Sequence, residues 1–142
     1  MPLRRLALAA CCALVLTALV GCGGKFQPVA GQVVYPDGTP AKGLAGGQII
    51  FQQGPGPDTA SAPSANSPLD AEARFKLGTE QLGDGAALGT YQVAIIPPQA
   101  IGDVPLPRVI AAKFENFETS GLTQEVKQGG VKDLKITVEL PK

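Results

Sequence analysis

The sequence contains no histidine and no tryptophan, and its three cysteines all lie within the first 22 residues. Ser-His and Cys-His nucleophile pairs are therefore excluded, as are metal sites built from histidine. The 12 Lys and Arg residues balance 12 Asp and Glu residues and form no basic cluster, so the chain lacks the charge pattern of a nucleic-acid-binding protein. The 18 glycines and 13 prolines, without helical periodicity after residue 21, favour short strands joined by turns.

The N-terminal segment has the organisation of an export signal. Arg4 and Arg5 precede an uncharged apolar stretch at residues 6–20. As a helix this stretch would span about 22 Å, which is shorter than the roughly 30 Å hydrocarbon core of a bilayer. The length therefore predicts a cleaved signal peptide rather than a permanent membrane span.

The end of this segment, Leu-Val-Gly-Cys at residues 19–22, resembles a bacterial lipobox. In lipoproteins of that kind the cysteine receives a diacylglyceryl group, the signal is cut before it, and the new amino terminus is acylated. The resemblance implies that residues 1–21 are a lipoprotein signal peptide and that Cys22 is the lipid-attachment site. The alternative is an ordinary secretory signal. Because Cys11 and Cys12 leave with the signal, a lipidated mature chain has no thiol for a disulfide.

The mature chain is predicted to be one domain on a short tether. Residues 22–27 form the lipidated tether, in which residues 23–27 are a flexible spacer, and residues 28–142 form the domain. The protein is expected on the extracytoplasmic side of a bacterial membrane. Gly23 stands where an inner-membrane retention signal would have Asp, which favours an outer membrane.

Alternating apolar residues predict six or seven strands in the domain. Residues 54–69, built almost wholly from Gly, Pro, Ala, Ser and Asn, predict a mobile loop. Residues 109–114 fit either a short edge strand or one turn of helix. The fold class is therefore all-β, a sandwich of about seven antiparallel strands. The predicted strands are residues 29–35, 48–53, 74–78, 89–97 (a central strand), 122–127 and 131–140 (with Leu134, Ile136, Val138 and Leu140 on its inner face).

Several phrases resemble carboxypeptidase regulatory-like domains, whose sandwich is of the transthyretin type. Residues 28–40 (PVAGQVVYPDGTP) are similar to the opening of that family, and residues 89–93 (GTYQV) to its G-x-Y-x-V. Residues 70–77 (DAEARFKL) are similar to its D-x-x-G-x-F-x-L, with Ala73 in place of the glycine. The Cys-Gly start and residues 113–122 resemble small lipoproteins of the planctomycete type. Members of this group mostly lack an assigned activity, so the resemblance implies a fold and a cellular location rather than a function.

Carboxylates are the remaining candidates for chemistry. Asp70 with Glu72, and Glu115 with Glu118, are the pairs that a hydrolase would use, but neither has a distinctive context and a solvated surface is the better interpretation of both. A calcium site would draw on acidic residues in loops, namely Asp37, Asp70, Glu72, Asp84 and Asp103, but no D-x-D-x-D-G spacing occurs. Ser120 in Thr-Ser-Gly is read as a turn former. We therefore expect no catalytic residue, no metal and no cofactor.

The sequence favours a membrane-anchored, non-catalytic β-sandwich that acts as a structural or protein-interaction module of the cell envelope. The alternative is a module that binds an envelope glycan or peptide through loops at one end of the sandwich. A hydrolase is the third hypothesis. The expected partners are the membrane, through the lipid at Cys22, and an envelope protein or glycan; no nucleic acid is expected.

Overall fold

A computed structural model describes residues 24–54, 63–100 and 102–142. The predicted signal peptide (1–21), Cys22 and residues 55–62 of the predicted loop lie outside the described residues. Within them the chain forms seven strands, which confirms the predicted all-β sandwich. The strands are β1 (Val29–Val34), β2 (Gln48–Gln53), β3 (Ala65–Pro68), β4 (Arg74–Lys76), β5 (Gly89–Ile96), β6 (Thr123–Val126) and β7 (Val131–Thr137).

The strands make two sheets that face each other. One has the order β4-β1-β7 and the other the order β3-β2-β5-β6, so β5 occupies the predicted central position. The two sheets are joined along one side where Asn66 and Gly78 exchange a pair of backbone hydrogen bonds, both 2.9 Å long. On the opposite side the turn at residues 127–130 carries the chain from β6 to β7.

The prediction that all strands are antiparallel is wrong for one pair. β7 runs parallel to β1, with Gly31 opposite Leu134 and Val34 opposite Thr137. The reason is the path of the chain: β6 belongs to the four-stranded sheet, so the turn after it crosses to the other sheet instead of forming a hairpin. β7 therefore enters beside β1 in the direction of β1 itself.

The core is filled by the inward residues of both sheets. Phe51 of β2 lies at its centre, with ring centroids 6.1 Å from Phe75 and 6.0 Å from Tyr91. The alternation predicted for β2, β4 and β5 is confirmed, because their inward side chains are all buried. These are Ile49, Phe51, Phe75, Leu77, Tyr91, Val93 and Ile95.

The segment after β5 returns to the core as short helical turns. Residues Ala112–Glu115 form a 3-10 turn and Phe117–Ser120 a single α-helical turn, α1. Of the two predicted conformations for residues 109–114, the helical one is therefore the closer. Ile110 and Phe114 are buried, and the Tyr35 hydroxyl donates to the Val109 carbonyl over 3.0 Å. No helix in the described chain has the length and apolar character needed to cross a membrane.

Two predictions about core residues are wrong. Residues 65–68 of the predicted mobile loop are β3, in which Ala65 and Ser67 are buried. Their small and polar side chains give no alternation of apolar residues from which a strand could be predicted. An edge strand, paired on one side, needs few apolar residues. Leu140, predicted to face inward, is 61% exposed because β7 ends at Thr137.

The contacts of the domain begin before residue 28, where the domain was predicted to start. Gln27 and Ala86 exchange two backbone hydrogen bonds of 2.8 and 2.9 Å. The Gln27 side chain is buried, donates to the Gly24 carbonyl over 3.1 Å and accepts from the Gly129 amide over 3.0 Å. Part of the predicted tether therefore contacts the domain through Gln27.

Ala73 has φ 56°, and among the described residues it is the one non-glycine with positive φ. Left-handed backbone costs a residue with a Cβ about 1–2 kcal/mol. The Ala73 methyl is buried, however, and a buried carbon contributes about 0.8 kcal/mol, while glycine also loses more chain entropy on folding. We expect Ala73→Gly to change the free energy of unfolding by less than about 1 kcal/mol, since these terms oppose each other.

Ala73→Val is the matched variant, because a β-branched side chain is far less compatible with this conformation. We expect it to destabilise the protein by more than about 2 kcal/mol in urea denaturation. Equal stabilities for the valine and glycine variants would contradict the left-handed assignment.

Candidate functional site

The first predicted carboxylate pair has structural partners. The Asp70 carboxylate accepts the amides of Glu72 (2.9 Å) and Arg74 (2.8 Å), which closes the turn between β3 and β4. The Glu72 carboxylate lies 3.1 Å from the Lys42 ammonium. Both acids therefore have a role in shaping or covering this turn, as Asp residues commonly do.

The second pair is divided between an ion pair and a helical turn. Arg108 lies 2.6 Å from the Glu115 carboxylate. Glu118 is in the first turn of α1, where its amide donates to the Asn116 side chain over 2.9 Å. The Ser120 hydroxyl accepts the Leu122 amide over 3.2 Å, so it stabilises the end of α1 as a turn former does.

The acidic residues considered for calcium serve separate turns. The Asp37 carboxylate accepts from the amide (2.9 Å) and hydroxyl (2.6 Å) of Thr39, and the hydroxyl bond chiefly lowers the pKa of Asp37. Asp103 is exposed. Across residues 24–54, 63–100 and 102–142, no three His, Cys, Asp or Glu side chains are placed to hold a metal ion together.

Asp84 organises the loop between β4 and β5. Its carboxylate accepts the amides of Thr79 (2.6 Å), Gln81 (2.9 Å) and Glu80 (3.1 Å). The Thr79 bond is the main reason that the pKa of Asp84 is lowered from its usual 3.8, although burial opposes the shift. The three hydrogen bonds hold the backbone of the loop around the Asp84 side chain. Each of them also favours the charged form of the carboxyl group.

This bonding predicts a specific effect of Asp84→Asn. A carboxyl group with a lower pKa in the folded state stabilises the fold above its unfolded pKa, and the contribution is lost as the pH falls through the folded pKa. We expect Asp84→Asn to lower the melting temperature at pH 7 and to reduce its dependence on pH below about 4.

The measurement is the melting temperature between pH 2.5 and 7. Asp103→Asn controls for the change in net charge. Parallel pH curves for wild type and Asp84→Asn would show that the three amides do not depend on the carboxylate charge.

Several grooves lie on the surface of the described residues, and two of them are relevant here. One, of about 210 Å³, is lined by Pro97, Pro98, Leu106 and Pro107 and by the Arg108–Glu115 ion pair. The other, of about 410 Å³, lies on the outer face of the three-stranded sheet. Its lining is mostly polar, and Lys135 donates to the Gln32 amide oxygen there over 2.7 Å. Of the aromatic residues outside the predicted core, Phe114 is buried, while Phe26 and Phe117 are half-buried.

The outer edge of β7 has no neighbouring strand among the described residues. The amide of Val138 donates to Val34 of β1 over 2.9 Å. Since the peptide groups of a parallel strand point alternately to either side, those of Lys135 and Thr137 face away from β1. This open edge, residues 134–137, therefore has main-chain donors and acceptors with which another chain could pair.

A covering segment limits the open edge at one end, and a bulge limits it at the other. The Glu139 carbonyl accepts the Ala111 amide over 2.9 Å, so the segment before α1 covers the edge beyond Thr137. At the other end the register of β7 shifts near Lys132 and Asp133, which forms a bulge. Bulges and charges are common devices against edge-to-edge aggregation. The open edge is therefore short and defined.

Sequence patterns identified β7 but gave no sign of its edge position, which depends on the pairing with β1. No protein-family model, curated protein or solved structure matches this chain.

Proposed function

We propose that this chain is a membrane-anchored extracytoplasmic lipoprotein whose β-sandwich binds an envelope partner and has no catalytic role. The open edge of β7 is the observation that carries the binding proposal. The lipobox at residues 19–22 supports the anchor and the location. The two sheets of three and four strands are compatible with the transthyretin-like type that the sequence resembles, and we propose that assignment for the sandwich.

The occupant of the open edge would be an extended peptide segment of another protein. Lys135 and Thr137 together offer two amides and two carbonyls, so a strand placed beside them would form up to four main-chain hydrogen bonds. Each such bond contributes about 0.5–1.5 kcal/mol net. This is the mode of recognition known as β-strand addition, in which the backbone provides most of the affinity.

Lys135→Pro tests this proposal without removing the pairing of β7 to β1. Proline lacks the amide hydrogen, and it is tolerated in an edge strand where that hydrogen faces solvent. We expect Lys135→Pro to weaken partner binding by about tenfold or more, because it removes a donor and places a ring in the path of the added strand.

The measurement is in-cell crosslinking followed by pull-down of the full-length tagged protein and quantification of captured proteins by mass spectrometry. Lys135→Ala is the matched control, because it removes the same side chain but keeps the amide. A partner captured equally by wild type, Lys135→Ala and Lys135→Pro would contradict binding at this edge. Circular dichroism of each variant establishes that the sandwich is intact.

A second candidate function is glycan or peptide binding in the groove near Pro97 and Pro98. Its apolar prolines and Arg108 favour a small ligand. The volume of about 210 Å³ is below the roughly 300–1,000 Å³ of typical ligand sites, so we rank this function second. Saturable thermal stabilisation by an envelope glycan, lost in Arg108→Ala, would reverse this order.

A further inference from the structure

One end of the sandwich, here called the proximal end, carries the start of the described chain. It consists of residues 24–27, the loop at residues 79–88 and the turn at residues 127–130. Its parts are joined by Gln27, which pairs with Ala86 and accepts the Gly129 amide. β1 runs from this end toward Tyr35, and β5 also begins here, at Gly89.

Only a short stretch of chain separates the proximal end from Cys22. The Gly24 carbonyl is held by the Gln27 side chain over 3.1 Å. Cys22 precedes Gly24 by two residues, which can span at most about 7 Å. A lipid on Cys22 would therefore hold the proximal end against the bilayer surface, with no long spacer between them.

The proximal end also presents a leucine to solvent. Leu82 is 89% exposed, at the tip of the loop that Asp84 organises, and Leu88 beside β5 is 51% exposed. The loop is fixed to the chain entry by the 2.6 Å ion pair of Lys25 and Glu80, two residues before Leu82. An apolar side chain held outward on a well-bonded loop next to the anchor is placed to meet lipid.

The charges of the proximal end indicate which kind of lipid bilayer it can contact. Lys25 pairs with Glu80, and Lys127 lies 3.5 Å from Glu125. Lys76, whose side chain lies against Gly83, is a further cation beside the loop, and it is offset by the Asp84 carboxylate, so these residues make no cationic cluster of the kind that selects anionic lipids. The surface is therefore suited to a zwitterionic bilayer, with contact made by apolar side chains at the level of the headgroups.

We propose that the proximal end docks on the lipid bilayer, with Leu82 inserted at the headgroup level. This inference rests on the proposed lipid anchor at Cys22. In the docked state the strands would extend away from the membrane surface. Since β5 has eight residues and is about 26 Å long, the far end of the sandwich, with Leu140, would lie in the aqueous phase.

Site-specific fluorescence tests the docking. Leu82→Cys and Leu140→Cys are each labelled with an environment-sensitive maleimide dye in the full-length protein, purified from membranes and reconstituted into phosphatidylcholine vesicles. Both positions are exposed leucines, so labelling should leave the fold intact. We expect brominated lipids to quench the dye at residue 82 and to leave the dye at residue 140 unquenched.

The protein without an introduced cysteine is labelled in parallel. A lipidated Cys22 leaves no reactive thiol once Cys11 and Cys12 have left with the signal, so uptake of dye by protein whose mass shows signal removal would overturn the anchor and the docking together. No uptake, with equal quenching at residues 82 and 140 or with quenching only at 140, would overturn the docking alone.

A second variant measures the contribution of the leucine. Burying a leucine side chain favours an equilibrium about ten- to hundredfold. With the dye placed at Leu88→Cys, also at the proximal end, we expect Leu82→Asp to reduce the ratio of docked to undocked domain by about tenfold or more. Leu140→Asp is the matched control and should leave the ratio unchanged. Equal ratios in both variants would contradict insertion of Leu82.

Discussion

Replacing Phe51 by alanine is expected to lower the free energy of unfolding by about 3–5 kcal/mol. Phe51 is fully buried in β2, where its ring lies between those of Phe75 and Tyr91. The variant loses the burial of the ring and leaves a cavity. It also loses two tilted aromatic contacts, each contributing about 0.5–1.5 kcal/mol beyond burial.

The size of this loss matters because a domain of this length has a total stability of about 5–15 kcal/mol. Urea denaturation followed by circular dichroism measures the change. Phe51→Leu keeps most of the volume and is expected to lose substantially less, while Leu82→Ala, at an exposed position, should lose less than about 0.5 kcal/mol. A loss below about 1 kcal/mol for Phe51→Ala would show that the two sheets do not meet at this ring.

The strands that carry most of the core could be predicted from sequence because their alternation is strong. In β2 and β5 the inward residues are large and apolar, and both strands appear within one residue of their predicted bounds. β3 could not be recognised in the same way. Its sequence, Ala-Asn-Ser-Pro, contains a single apolar residue besides the proline, and its strand conformation depends on pairing with β2.

Other features depend on contacts between distant parts of the chain. Gln27 falls in the predicted spacer because its neighbours are Gly, Lys and Phe, but its side chain accepts the Gly129 amide, 102 residues away. The direction of β7 could not be inferred either, since a short turn after a strand usually makes a hairpin. The open edge follows from the pairing of β7 with β1, so sequence patterns could not predict the main candidate for binding.

The structure gives the candidate carboxylates a different role from the one that the sequence suggests. The sequence makes Asp70 a candidate for catalysis or calcium and Asp84 a candidate for calcium, because acidic residues in loops suit these roles. Both instead accept backbone amides from residues two to five positions away. Such local bonds follow from the tendency of Asp to cap turns, and Gly83 and Gly85 flank Asp84 in the sequence, as is typical of a turn.

Cys22→Ser is the variant with the largest expected effect on location. Serine has no thiol to receive a diacylglyceryl group, so the variant should appear as an uncleaved or soluble species. Each methylene of an acyl chain contributes about 0.8 kcal/mol of membrane binding, and two or three chains make the attachment effectively permanent. A soluble variant should therefore lose nearly all of the carbonate-resistant membrane fraction that the wild type retains, whereas an uncleaved variant keeps its apolar signal segment and is recognised by its larger mass.

Cys12→Ser is the matched control, because it makes the same substitution inside the predicted signal peptide. We expect this control to fractionate as the wild type does. A Cys22→Ser protein that stays fully with membranes after alkaline carbonate washing would contradict the attachment site, provided that its signal peptide has been removed.

The intact mass of the wild-type protein extracted from membranes is the most direct test of the anchored module. We expect a chain that begins at Cys22 and carries a diacylglyceryl group on that cysteine and an acyl chain on its amino terminus. A mass equal to the unmodified chain, with or without residues 1–21, would contradict it.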